Sequence, residues 1–285
     1  FNTAVSFTTN TNLQDYSGEN ISYLSQMFLT AFMFMAPASG LAAAAAFLRG
    51  VTGTEGLGNF YADVIRFTTR LLLPLSIVVS VIFIACGSPQ TLAGNLAVTT
   101  IEGTKQVLPL GPVASLEAIK NLASNGGGFF AANSAHPFEN PTPFTNLVTI
   151  LSMGLISTSF VFAFGKLTKN KKQGRVLFAA LAVLLIVSVA ITYAAETSGN
   201  QAVTSAGIVN QAGNMEGKET RFGVGGTSLF SSVTTAYQVG AVNGSQDSMT
   251  PIGGMMSMWN IILQTVFGGK GTGFIYVIMY AILTV

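Results

Sequence analysis

Four stretches of this sequence, Tyr23 to Leu48, Phe67 to Ala85, Phe144 to Gly165 and Val176 to Ala194, are each apolar over a bilayer's length, which takes roughly 17 to 25 residues. A chain carrying them cannot hide so much apolar surface in a soluble core. Composition agrees: 8% charged residues and a mean hydropathy of +0.55 lie far from the ~25% charged of a soluble domain. The class is an all-α membrane protein.

Plain spanning helices do not need 31 glycines, and here the glycines gather where the hydropathy is interrupted. A fifth apolar region, Pro251 to Val285, is too long for one upright crossing. GGKGTG at Gly268 to Gly273 breaks it, so it is either two helices or one interrupted helix. The net charge of +2, with no basic stretch interleaved with aromatics, excludes a nucleic-acid partner. Cys86 stands alone and reads as a small buried hydrophobe, so neither a disulfide framework nor a thiolate metal site is available. The first residues have no basic leader and the last stop inside an apolar segment, so the chain is expected to be cut at both ends.

Basic residues between spans orient a membrane chain. Arg49 to Arg70 and Lys166 to Arg175 (KLTKNKKQGR) hold eight bases, whereas the alternate loops hold four: Lys105, Lys120, Lys218 and Arg221. The first pair of loops is therefore assigned to the cytoplasm, with the KNKK cluster a solvated turn. This orientation requires Ser115 to Ala123 and Thr227 to Tyr237 to dip in and return. Each is about ten residues, long enough for half a crossing at ~1.5 Å per residue. Irregular backbone at membrane depth survives only where protein buries it or it lines a wet cavity. The segment after each half-helix is expected to line a pathway.

Three polar elements recur at equal spacing. They are TTNTNLQ at Thr8 to Gln14, SNGGGFF at Ser124 to Phe130 and QVGAVNG at Gln238 to Gly244, and Asn12, Gly126 and Gly240 stand 114 residues apart. After the second and third comes an acid and a Thr-Pro, ENPTP at Glu139 to Pro143 and DSMTP at Asp247 to Pro251, then a long apolar helix. The repeating unit is helix, re-entrant pore helix, polar filter, helix. Boundaries are expected at 1–48 (first filter and its helix), 49–165 (second pore-loop repeat) and 166–285 (third, with the interrupted last helix).

Such a unit suits a dehydrated cation. Backbone carbonyls replace the hydration shell, glycine permits positive φ and close approach, and the carbonyl end of the pore helix faces the site. Charge supports this: residues 1–48, 121–165 and 222–269 contain no Lys or Arg, yet keep Asp15, Glu19, Glu139 and Asp247, each soon after a filter. Exclusion from lipid would remove both signs.

FNTAVSFTTNTN at the start, SNGGGFFAANSAHPFENPTPFTN from Ser124 and TTAYQVGAVNGSQDSMTPIGG from Thr234 resemble the first three filter regions of the potassium-binding A subunit of Kdp-type potassium-transporting ATPases. The resemblance runs from Phe1 beyond Gly273. It implies a member of the superfamily of potassium transporters, with potassium-channel-like pore-loop repeats around a central pore, the fourth of them absent here, K+ as transported ion and no other cofactor. It further implies a separate P-type ATPase catalytic subunit and small accessory membrane subunits as partners, in a multi-pass subunit of the plasma membrane. By position, the filter residues would be Asn10, Thr11, Asn12 and Gln14; Ser124, Asn125, Gly126, Gly127 and Gly128; and Gln238, Val239 and Gly240. Leu13 stands where the family pattern has tryptophan, and Gln238 where it has a small residue. The family also implies a helix broken below the third filter, making Gly268, Gly269, Lys270 and Gly271 a gate, against the alternative of an inner-surface turn with Lys270 snorkelling to lipid.

An autonomous channel or symporter of the Trk or Ktr type would share the repeat without an ATPase partner; the HPFENPT string, associated with Kdp, favours the pump. No DKTGT-like phosphorylation motif or GxxxxGK(S/T) loop occurs, so the chain is not expected to hydrolyse ATP. His136 and Glu139 lack the third ligand of a transition-metal site, and His136 is read as bracing the loop behind the filter. Asp15, Glu19 and Asp247 read first as capping or mouth residues, and the Gly253 pair as close helix packing.

Overall fold

The computed structural model describes every residue except 15, 54–55, 208–212, 265–266 and 285, and the side chain of Phe274. Asp15 thus lies outside the described residues. In chain order the helices are α1 (Asn2–Thr8), α2 (Tyr23–Val51), α3 (Phe60–Phe67), α4 (Leu73–Ala85), α5 (Val113–Leu122), α6 (Pro143–Leu167), α7 (Lys171–Thr197), α8 (Gln201–Ser205), α9 (Gly223–Ala236), α10 (Pro251–Leu263) and α11 (Thr272–Thr284). A π-helical turn, Thr68–Leu72, joins α3 to α4. Among the described residues the strands are β1 (Leu96–Thr99) and β2 (Lys105–Leu108), an antiparallel hairpin that the hydropathy reading did not anticipate.

Four helical stretches have spanning length and apolarity: Tyr23–Val51, Phe60–Ala85, Pro143–Leu167 and Lys171–Ser205. Their outward faces are as apolar as their inward ones. Ile77, Val78 and Val81 on α4 and Val183 and Ile186 on α7 are all more than half exposed, as expected of helices whose outer solvent is lipid. The chain is a membrane protein.

Each start has a local cause. Thr142 caps α6 by accepting from Thr145 N while Thr145 Oγ1 accepts from Thr142 N, and Pro143 opens the helix. Thr250 caps α10 by accepting from Gly253 N at 3.2 Å, with Pro251 next. The repeated Thr-Pro is thus a helix-start device. Gly165 and Gly174 face each other where α6 meets α7; a Cβ on Gly165 would lie 2.9 Å from Gly174 Cα, so only glycine allows this crossing. Gly253 likewise lets α10 lie against the Glu196 carboxylate of α7.

Two short helices, α5 and α9, are enclosed by the longer ones. Every α5 residue except Ser115 is buried. Leu116 and Ile119 of α5 pack with Phe7, Met33 and Leu41 of α1 and α2, while Phe230, Val233 and Tyr237 of α9 and its cap pack with Met153, Val161 and Leu181 of α6 and α7. At ~1.5 Å per residue α5 rises about 15 Å, half a hydrocarbon core.

The structure departs from the sequence reading in its basic residues. Arg66 lies in α3 and Arg70 in the π turn rather than in a loop. Lys171, Lys172 and Arg175 belong to α7, leaving only a three-residue turn after α6. Lys120 is fully buried on α5 and ion-paired with Glu117 and Glu139, and Lys218 is buried against Glu196 Oε2 at 2.7 Å. Two of the four bases assigned to the outer loops are therefore interior counter-charges, because each has a non-local acid that spacing cannot reveal.

Candidate functional site

Each of α1, α5 and α9 ends in the same way. The first residue beyond the cap is left-handed: Asn10 (φ 63°), Ser124 (φ 48°) and Gln238 (φ 52°). The next N–H turns back onto the helix, from Thr11 to Ser6 O (2.9 Å), Asn125 to Lys120 O (3.1 Å) and Val239 to Thr234 O (2.9 Å). This six-to-one bond with a left-handed residue is a Schellman-type stop. The following residue is left-handed again, at Asn12 (52°), Gly126 (48°) and Gly240 (77°), and Gly127 continues at 66°. Left-handed backbone costs an L-residue ~1–2 kcal/mol, least for Asn, so three recurrences need a common cause.

The three segments abut. Asn10 Nδ2 donates to Ser124 O (3.2 Å), and Ser124 Oγ donates to Tyr237 O (3.2 Å). Gln14 accepts from Gly128 N (2.8 Å) and donates to Gly128 O (2.5 Å). A Cβ on Gly126 would lie 3.1 Å from Val239 O and 3.3 Å from Gly240 O; one on Gly127, 3.3 Å from Asn12 O. Carbonyls of the first and third segments thus lie close against the glycines of the second, where positive φ and tight space both favour glycine. Asn125 faces away and donates to Met33 O (3.1 Å), fixing its segment to α2. Asn12 is buried with neither side-chain amide atom bonded. Val239 is buried in the core, whereas Thr11 and Leu13 are exposed. Leu13 is 55% exposed, so it fills no space in the locus. Gln238 lines, with Thr11, Gly240, Asp247, Ser257 and Gln264, part of a cavity of about 1080 Å³ on the open side of the cluster.

The interruption after α10 begins earlier than the glycines. Gln264 is already left-handed (φ 50°), so α10 covers 13 residues, about 20 Å. Gly268 N then donates to Ala236 O at the end of α9 (3.1 Å), and a Cβ on Gly269 would lie 3.4 Å from Gln238 Oε1. Gly271 lies against Gly40 of α2. Lys270 is 5% exposed and its Nζ donates to Met153 O in α6 (2.7 Å). The amine is enclosed by protein beneath the third segment, so the snorkelling arrangement is not adopted.

Sequence reasoning missed the buried polar cluster behind the second segment. Glu139 Oε1 accepts from Phe130 N (2.8 Å), and Oε2 lies 3.4 Å from Lys120 Nζ. Burial pushes the Glu139 carboxyl up, with Lys120 pulling it back. Paired in this way, it is no free attractor of cations. His136 stacks on Phe130 with ring centroids 3.9 Å apart, and its Nδ1 accepts from Phe138 N (3.1 Å), which is the bracing role expected of it. Burial holds its imidazole below the usual range. Glu19 is exposed, and Asp247 is exposed at the cavity rim.

Over residues 1–285 the sequence matches the family described as potassium-transporting ATPase A subunit, KdpA. It is 57% identical over 287 residues to a "potassium-transporting ATPase potassium-binding subunit" of Clostridium acetobutylicum, covering all of this chain and 52% of that protein. It is 52% identical over 288 residues to the protein of the same description in Geobacillus kaustophilus, covering all of this chain and 51% of that one. The chain spans about half the length of these curated relatives. The chain belongs to the potassium-transporting ATPase A subunit family.

Proposed function

We propose that this chain is the greater part of the ion path in the potassium-binding, translocating subunit of an ATP-driven potassium uptake pump of the plasma membrane. The observation that carries the reading is the threefold recurrence, at 114-residue intervals, of a short helix, a Schellman-type stop and a doubly left-handed segment, the second copy in contact with the other two. In this reading Asn10–Gln14, Ser124–Gly128 and Gln238–Gly240 are selectivity filters whose carbonyls replace the hydration shell of K+. The short helices aim their partly negative ends at the ion. Three pore-loop units, 1–48, 49–165 and 166–285, surround the path, and a fourth filter from the remainder of the full-length protein would face the open cavity. The Gly268 to Gly271 break, packed under the third filter with Lys270 on Met153 O, is the gate. ATP hydrolysis belongs to a partner P-type ATPase chain, with small accessory membrane subunits completing the complex.

The relatives' descriptions support this over a self-sufficient Trk- or Ktr-type conductor. Affinity-tagged full-length subunit, purified from its own membranes, is expected to bring down a P-type ATPase chain with potassium-stimulated ATP hydrolysis. A subunit that purifies alone and passes potassium without ATP would overturn the pump reading.

A further inference from the structure

We infer that Glu139, held by Lys120, is a positioning residue for the second filter and thereby sets cation preference. This inference rests on the filter reading of the three segments. Lys120 touches the second segment twice. Its main-chain carbonyl accepts from Asn125 N at the start (3.1 Å), while its amine holds Glu139, whose Oε1 accepts from Phe130 N at the end (2.8 Å). Between them Gly128 is clamped. Its N–H and carbonyl both go to Gln14, and a Cβ on its other face would lie 2.5–2.7 Å from the Glu139 oxygens. The Lys120 amine is itself fixed by Glu117 and by Ser134 Oγ (3.1 Å), both wholly buried.

The repeat supplies an independent argument. The residues 114 positions either side of Lys120 are Ser6 and Thr234. Ser6 Oγ accepts from Leu13 N (2.7 Å), so in the first segment, too, the side chain at this position reaches over to hold the far end of its own filter, whereas the Thr234 hydroxyl of the third makes no such bond among the described residues. In the second segment the gap is longer, and a Lys–Glu strut spans it. A buried pair kept only for stability would be replaceable by apolar groups of similar size. A strut whose active part is the acceptor to Phe130 N would not.

The test uses the complete pump with two replacements of the acid, Glu139→Gln and Glu139→Leu. Both remove the same charge and keep the Lys120–Glu117 pair, but only Gln retains an acceptor for Phe130 N. Apparent KM for K+ and for Rb+ is read from cation-stimulated ATP hydrolysis. The Gln form is expected within threefold of wild type for both ions. The Leu form is expected to raise KM for K+ at least tenfold and to shrink the Rb+-to-K+ ratio. Equal ratios in the two forms overturn the inference, as does a Leu form that only lowers the yield of complex while its assembled fraction keeps wild-type KM values. A wild-type complex with no preference for K+ over Rb+ or Na+ would instead fail the filter reading.

Discussion

The side-chain amide of Asn10 donates to the main-chain carbonyl of Ser124 at 3.2 Å, and the two residues occupy the same left-handed position of successive segments, 114 residues apart. A bond between equivalent positions ties the hand of one segment to the placement of the next. Perturbing one segment should therefore be felt at the locus that all three share.

Gly126 and Gly240 are both left-handed but differently crowded. A Cβ on Gly126 meets Val239 O at 3.1 Å, whereas one on Gly240 meets only Gly126 Cα at 3.6 Å. Gly126→Ala adds a clash to the ~1–2 kcal/mol of backbone strain, and Gly240→Ala adds the strain alone. In uptake assays on the full-length subunit, Gly126→Ala is expected to raise KM for K+ more than tenfold and to weaken its preference over Na+. Gly240→Ala should have the smaller effect, and the reverse order would remove the steric account.

Gln14 satisfies both the N–H and the carbonyl of Gly128. Gln14→Leu leaves two polar groups at the locus unpaired, at about 1–3 kcal/mol each when buried. Potassium KM is expected to rise at least tenfold, with Gln14→Glu intermediate because it keeps the acceptor for Gly128 N. Unchanged KM in Gln14→Leu would dissociate this contact from the ion path.

Much of the architecture was legible because its signals are local. Apolar runs gave the spans, Thr-Pro marks the starts of α6 and α10, and equal spacing located the three segments that the structure brings together. The left-handed residues at Ser124 and Gln238 were not legible, since nothing in a Ser or Gln announces positive φ, and an Asn such as Asn10 only favours it. Only the shared interval connects them to their glycine-bearing neighbours. Lys120 and Lys218 were counted as loop charges for another reason: Glu117 stands one helical turn from Lys120, but Glu139 lies 19 positions away, and Glu196 precedes Lys218 by 22, beyond any helical periodicity. The early stop of α10 is set by a left-handed Gln264 and not by the glycines that advertise a break.

Asn170 caps α7 in the tight turn after α6, among Lys166, Lys169, Lys171 and Lys172. The cluster of bases at this turn predicts a cytoplasmic position for it. A single cysteine at Asn170 is expected to react with an impermeant thiol reagent only in inside-out vesicles. Labelling from outside intact cells would invert the topology.

Lys270 donates to Met153 O beneath the third segment, so its removal loosens the break without touching the carbonyl locus. Lys270→Ala in the full-length subunit is expected to change potassium flux or its coupling to ATP hydrolysis by several-fold while cation preference stays as in wild type. Wild-type flux and coupling would leave the break as packing alone, and altered preference would place Lys270 in the filter.

The most direct test of the ion site is to see the ion. Crystals of the full-length subunit in its complex, grown in K+ and exchanged into Tl+, should show an anomalous peak bounded by main-chain oxygens of Asn10–Asn12, Ser124–Gly126 and Gln238–Gly240. A well-occupied Tl+ site lying elsewhere, with no peak where these three segments meet, would contradict the account.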